Sequence, residues 1–256
     1  MFLDKARHTY NKFLVMPVFI VIPTYNEKEN LPVLLEKIFD LKIPDLKALV
    51  VDDNSPDGTG RLADELKLKY PNLAVLHRQQ KEGLGRAYVT AFKTVLTSYR
   101  PDKDSRHSDY IVQMDADLSH DPAVIPTMLD KIKTCHLVIG SRYIKGGRTV
   151  NWDFFRKLIS RFGNFYARIV LGLPYKDLTG GFKCWRREVL EKIDLESLSS
   201  TGYNFQIETT YKAHQLKFNI CETPITFTER KTGKSKFNFR IMLEAFWKVL
   251  MLRIRT

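Results

Sequence analysis

The sequence predicts an α/β fold with a mostly parallel sheet flanked by helices. Short, continuously apolar, β-branched runs alternate with stretches of helical length four times in the first half of the chain, and such crossovers force parallel pairing beneath covering helices. Each run also delivers acidic, glycine-containing or aromatic residues at its carboxyl end, where ligands sit in sheets of this kind. With 256 residues, 44% of them hydrophobic, the chain is long enough to bury the core of one large domain.

The first strand is Val18–Ile22, apolar throughout as a strand buried on both faces is, and stopped at Pro23. A helix follows, with Glu27 or Asn30 near its start and Leu31, Leu34, Leu35 and Ile38 at helical spacing. A second strand, Ala48–Val51, ends in VDDNSPDGT, and a helix over Arg61–Lys69 comes next. A third, Leu73–Leu76, leads into KEGLGRA and a helix beginning at Arg86. Residues 101–108, PDKDSRHS, form an exposed insertion loop before the fourth strand, Tyr110–Met114. Beyond it lie a strand at Leu137–Ile139, an amphipathic helix starting near Trp152 and a basic, aromatic C-terminal stretch, Phe237–Arg255.

The chain carries 41 Lys and Arg against 29 Asp and Glu, a formal +12, with the excess gathered after residue 140. Such a field favours a phosphorylated small molecule, a polyanion or an anionic membrane surface. Three cysteines, Cys135, Cys184 and Cys221, give an odd number without a CxxC pair, so neither a disulfide framework nor a zinc site is expected, and a reducing, cytosol-facing location is. The N-terminal stretch lacks the apolar core of a signal peptide, and no run reaches the roughly 18 apolar residues of a spanning helix.

The fourth strand runs straight into Asp115 and Asp117. At i and i+2 in extended chain the two carboxylates share a face about 6.6 Å apart, which suits a shared divalent cation or a cation and a sugar hydroxyl. Asp121, just before Pro122, is the residue placed to cap the next helix. An aspartyl-nucleophile phosphatase would carry this motif after its first strand. A nicotinamide enzyme is excluded because Tyr88 stands where the GLG stretch needs its third glycine, and because that stretch follows the third strand. No Walker lysine motif is present. A nucleic-acid binder would explain the charge but not acidic residues at three strand ends.

VIPTYNEKENLP, VVDDNSPDGTG, KEGLGRAY, QMDADLSHDP, IGSRY and DLTGGFKCWRREVL, in this order, resemble the inverting glycosyltransferases of family two, with the Rossmann-like GT-A fold. Within that family the resemblance is strongest to the polyprenol- and dolichol-phosphate mannosyltransferases. It implies a single domain over 1–256, with a nucleotide-binding part near 17–141 and an acceptor part near 142–256. It also implies GDP-mannose as donor, polyprenyl or dolichyl phosphate as acceptor, and Mg2+ or Mn2+ as cofactor. Position by position, it implies that Pro23, Tyr25, Glu27, Val51 and Asp53 hold the guanosine, and that Asp115, Ala116 and Asp117 meet metal, diphosphate and mannose. Asp115 and Asp117 are then the metal ligands and, with Arg142, the catalytic set. Arg142 lies near the reacting phosphates, Arg156 and Ser160 match acceptor-phosphate positions, and Arg230 and Lys236 close over the diphosphate. Ser119 stands where the family often has a metal-binding glutamine.

The resemblance also places the chain at the cytoplasmic face of a membrane, the endoplasmic reticulum in a eukaryote or the plasma membrane in a prokaryote. Phe154, Phe155, Leu158, Ile159, Phe162 and Phe165 interleave with basic residues as in an interfacial helix, about half of them expected to pack on the core. Small membrane-anchoring subunits are the alternative to direct lipid contact. The rival enzyme readings are a UDP-sugar donor with a polyprenyl phosphate, and a polysaccharide synthase with Asp177 as its catalytic acid; Asp177 is expected instead to orient the loop beneath the acceptor.

Overall fold

The computed structural model describes residues 17–99, 109–198, 200, 202–229 and 239–254, with the backbone alone over 239–245. The insertion loop at 101–108, Arg230 and Lys236 lie outside the described residues. A seven-stranded sheet contains β1 (Val18–Thr24), β2 (Leu46–Asp52), β3 (Leu73–His77), β4 (Tyr110–Gln113), β5 (Leu137–Ser141), β7 (Lys183–Arg186) and β8 (Ile220–Pro224), in the order β3-β2-β1-β4-β7-β5-β8. A separate parallel ribbon pairs β6 (Arg148–Val150) with β9 (Thr226–Thr228). The helices are α1 (Asn30–Phe39), α2 (Thr59–Leu66), α3 (Leu84–Ser98), α4 (Ile125–Lys131), α5 (Phe154–Leu171), α6 (Arg187–Lys192), α7 (Tyr203–Gln215) and α8 (Phe239–Ile254).

Strands β1 to β4 pair in parallel as expected, while β7 enters antiparallel between β4 and β5. Its sequence, KCWR, alternates and carries no long apolar run, but Cys184 and Trp185 bury on opposite faces. Alternation across the sheet makes two cores. Ile20, Ile22, Val50 and Val112 meet Leu31, Leu34, Leu35, Ile38, Ile125 and Met128 on one face. Phe19, Val21, Val51 and Ile111 meet Tyr88, Phe92, Val95, Val189 and Phe205 on the other. A third cluster joins α5, α7 and α8 through Ala167, Leu171, Ile207, Tyr211 and Val249.

Two expectations are corrected. Cys135 and Cys221 form a disulfide with Cα atoms 6.1 Å apart. Cysteine spacing does not show it because the pair is 86 residues apart and is brought together by parallel pairing of β5 with β8, Val138 against Cys221. Cys184 remains free and buried. On α5, Phe154, Phe155, Leu158, Phe162 and Phe165 are all exposed, and the buried face is instead Asn164, Ala167 and Leu171. Asp153 caps this helix by accepting from the Arg156 N–H at 2.8 Å, and Gly172, in the left-handed region at φ 67°, ends it. Among the described residues no helix is long and apolar enough to cross a membrane.

Candidate active site

The carboxyl ends of β1, β2, β4 and β5 bring the predicted residues to one edge of the sheet. After β1, β2 and β4 the chain turns through left-handed residues, Asn26 (φ 60°), Asn54 (φ 54°) and Leu118 (φ 60°). Asparagine tolerates this conformation, whereas a leucine there is uncommon and marks a turn held by its surroundings.

On the nucleotide side the two adjacent acids divide their work. Asp52 is buried and accepts from Thr24 Oγ1 at 3.0 Å, from the Ser55 N–H at 3.0 Å and from the Ser55 hydroxyl, so it holds the loop. Asp53, also buried, accepts from Arg78 Nη1. Burial holds its carboxyl above the usual range, and the Arg78 guanidinium offsets that only in part. The Glu27 N–H donates to Thr59 Oγ1 at 2.9 Å, and its carboxylate accepts from Asn30 Nδ2 at 2.8 Å, tying the PTYNE turn to α1 and α2. Lys81 Nζ lies 3.2 Å from the centre of the Tyr25 ring. Pro23 and Val51 face each other in register with buried side chains.

At the centre, Asp115 Oδ1 accepts from the Tyr88 hydroxyl at 2.8 Å, and the Asp115 N–H donates to His120 Nδ1 at 3.3 Å. Tyr88 is fully buried, and burial together with Asp115 raises its phenol pKa well above the ordinary value. It therefore stays a proton donor. His120 is stacked 5.0 Å from the Phe182 ring, and burial lowers its pKa. Asp117 Oδ1 accepts from the Ser119 N–H at 3.1 Å, a contact made by the Leu118 turn. Ala116 is buried in the core, so it can offer a ligand only backbone. A Cβ on Gly181 would stand 3.1 Å from Asp115 Oδ2, so a side chain there would press on the Asp115 carboxylate and the second glycine of DLTGG allows the close approach.

The donor set fits a hard divalent cation. Among the described residues no cluster of three His, Cys, Asp or Glu forms, but Mg2+-type ions take one or two carboxylates and complete their shell with phosphate oxygens and water. Ser119 Oγ is buried without a hydrogen-bond partner among the described residues.

The acceptor side is assembled over long sequence distances. Arg142 is buried, and its backbone N–H and Nε donate to Asp177 Oδ2 at 2.9 and 2.7 Å. Its Nη2 donates to Asp177 Oδ1 at 2.7 Å and to Thr179 Oγ1 at 2.8 Å. Burial opposes the charge, but Asp177 more than compensates and the pKa rises. Asn164 of α5 donates to Thr179 Oγ1 at 3.0 Å and accepts from the Leu178 N–H at 2.7 Å. The DLTGG loop thus carries Arg142 at one end, through Asp177 and Thr179, and lies beside Asp115 at the other. Arg156 forms an ion pair with Glu229 and lies over Trp152 at 4.4 Å, while Ser160 Oγ accepts from the Tyr143 hydroxyl at 2.7 Å.

The family model described as "Glycosyl transferase family 2" matches residues 19–194. The chain belongs to this family. It is 45% identical over 230 residues to the undecaprenyl-phosphate mannosyltransferase of Micrococcus luteus, covering 90% of this chain and 91% of that protein. It is 45% identical over 238 residues to the polyprenol monophosphomannose synthase of Mycolicibacterium smegmatis, covering 92% and 86%. Two solved structures share the fold. Glucosyl-3-phosphoglycerate synthase from Mycobacterium tuberculosis, in complex with Mn2+, UDP and phosphoglyceric acid, has TM-score 0.63 and 17% identity over 94% of this chain and 78% of that one. A mannosyltransferase from Pyrobaculum calidifontis, in complex with GDP-Man and Mn2+, has TM-score 0.62 and 17% identity over 93% and 64%.

In this family two member the strand-end motifs pointed to Asp53, Asp115 and Asp117 and the resemblance to Arg142, and all four lie near the carboxyl ends of the strands. Sequence reasoning missed Tyr88, His120 and Gly181.

Proposed function

We propose that the chain transfers mannose from GDP-mannose to the phosphate of a polyprenyl or dolichyl lipid, inverting the anomeric centre to give a β-linked mannosyl phosphate and GDP. The observation that carries the reading is the DLTGG loop, which joins the Asp115 carboxylate to the Arg142 guanidinium in a chain 45% identical to polyprenyl-phosphate mannosyltransferases. The reading divides the domain into a nucleotide part near 17–141 and an acceptor part near 142–256.

Asp53 accepts hydrogen bonds from the nucleoside, and Tyr25 and Glu27 flank it beside the backbone of Pro23 and Val51. Asp115, Ala116 and Asp117 face the diphosphate and the sugar, and Arg230 and Lys236 are assigned to the diphosphate on the resemblance alone. Bound Mg2+ or Mn2+, held by Asp115 and Asp117, supplies Lewis-acid stabilisation of the charge on the departing diphosphate. Tyr88 holds Asp115 in place by donating a hydrogen bond to it and keeps its own proton, as the raised phenol pKa requires. A lipid phosphate is already anionic at neutral pH, so the site needs no strong base. It needs a grip that orients the attacking oxygen behind the anomeric carbon. Arg142, Arg156 and Ser160 supply that grip, arginine by its forked contact with phosphate oxygens. The acceptor places the protein at the cytoplasmic face of a membrane, bound directly or through small anchoring subunits.

A thermal-shift panel of GDP, UDP, GDP-mannose and UDP-glucose, each with and without Mn2+, tests the donor. Ligands of the native state raise the midpoint, so GDP and GDP-mannose should do so in a Mn2+-dependent way. Stabilisation by UDP and UDP-glucose alone would replace the donor assignment with a UDP-sugar.

A further inference from the structure

We infer that the cleft between the turn after β5 and the flank of α5 is a second anion site, which takes the headgroup phosphate of an anionic membrane phospholipid. The inference rests on the reading that the acceptor is a lipid phosphate presented by a membrane.

The cleft has a volume of about 550 Å³ and is lined by Arg142, Lys145, Arg161, Arg168 and Lys176, with Tyr143, Asn164 and Phe165 and no acidic residue. Arg142 is neutralised by Asp177. The ion pairs among the described residues include none of Lys145, Arg161, Arg168 or Lys176. Four cations from three segments therefore converge without an ion-pair partner among the described residues, which is unfavourable until an anion enters. Arg168 Nε is in addition buried without a hydrogen-bond partner, and a buried donor left unpaired is costly.

The occupant's second half is apolar. Phe154, Leu158, Phe162, Phe165 and Ile169 follow one another three or four residues apart, so they form one stripe along α5, and their exposures lie between 54% and 73%. Phe165 belongs to both the stripe and the cleft. A free phosphate or a nucleic acid would use the cations and leave the stripe bare, whereas a phospholipid uses both.

The cleft adjoins the acceptor grip and shares Arg142 with it, but neither Arg156 nor Ser160 lines it. Arg161 follows Ser160 by one residue, about 100° around the helix, and Arg168 lies two turns beyond Ser160. Tyr143, which donates to Ser160 Oγ, stands between them as a wall of the cleft. A headgroup held here would fix the protein on the bilayer with Arg156 and Ser160 beside the lipid surface.

The test is flotation with vesicles of phosphatidylcholine alone, or with about one-third phosphatidylglycerol, both lacking polyprenyl phosphate. Wild-type protein should partition onto the anionic vesicles. Arg161→Gln/Arg168→Gln should weaken that partitioning by roughly tenfold or more, since each basic residue at an anionic surface contributes severalfold. The same double variant should keep the GDP-mannose thermal shift and wild-type turnover on detergent-dispersed acceptor. Lys145→Gln/Lys176→Gln, on the other walls, should weaken partitioning in the same direction, and it keeps the test alive if the first variant loses its fold. Unchanged partitioning of the folded variants, or equal wild-type partitioning onto phosphatidylcholine alone, would overturn the site. So would a matching loss of turnover on dispersed acceptor, which would put the acceptor phosphate in the cleft. Absence of mannosyl transfer by the wild type would overturn the function proposed above, while the vesicle arm still decides the site.

Discussion

The two sides of the site are built by different means. On the nucleotide side every tie links neighbouring strand ends or the turns that leave them: Thr24 to Asp52, Glu27 to Thr59, and Arg78 to Asp53. On the acceptor side each arginine is held by a carboxylate far along the chain, Arg142 by Asp177 and Arg156 by Glu229. The arginines also differ from each other. The Arg142 pair is dry and permanent, whereas the Arg156 pair is partly exposed and open to exchange with a phosphate. On the proposed function, the donor would be met by a preformed edge of sheet, and the acceptor by a grip whose charges are already in use.

The largest expected effect falls at the junction of the two sides. Asp115→Ala or Asp117→Ala should lower metal-dependent transfer by roughly a thousandfold or more, as loss of charge stabilisation in a catalytic centre does, with little change in melting midpoint. Turnover near wild type would sink the shared role of the pair. Next comes Asp177→Ala, which leaves Arg142 buried and uncompensated and should destabilise the fold by about 3–5 kcal/mol. An unchanged denaturation midpoint would show that this pair is not the permanent one.

Reducing the Cys135–Cys221 disulfide, which ties the turn between α4 and β5 to β8, should cost about 2–4 kcal/mol. Calorimetry with and without reductant checks this, and the GDP-mannose shift should survive because the nucleotide side is distant in the sheet order. Arg156→Ala should raise the acceptor KM roughly 10- to 100-fold, the value of charge-assisted hydrogen bonds of about 1.5–3 kcal/mol, and leave donor affinity unchanged. An equal effect on both substrates would refute its assignment. The smallest effect is expected from Glu229→Gln. An exposed pair contributes at most about 1 kcal/mol, so stability should barely move while acceptor affinity improves as Arg156 is released.

How far the sequence could be read follows the same division. Strands β1 to β4 and the helices between them were legible to within a few residues, because strands buried on both faces leave continuous apolar runs. The nucleotide-side and catalytic acids sit directly at the ends of those runs. Strand β7 was not legible as a strand, since its four residues alternate across the sheet and its position is set by partners 44 to 76 residues away in register, such as Ile139 against Lys183 and Tyr110 against Arg186. The disulfide and the Asp177–Arg142 pair depend on the same long-range pairing. Tyr88 was read only for what it excluded, because its contact with Asp115 crosses from α3 to the end of β4. The exposed stripe on α5 was misjudged by half, because periodicity shows that a helix has an apolar side and not which side faces the sheet.

The most direct measurement of the central claim incubates the purified chain with GDP-mannose and polyprenyl phosphate, with Mn2+ or with chelator, and assigns the anomeric configuration of the product by NMR. The account predicts a β-linked mannosyl phosphate formed with the divalent ion and lost on chelation. An α-linked product, or a GDP-mannose pool left unconsumed under conditions where UDP-glucose turns over, would contradict it.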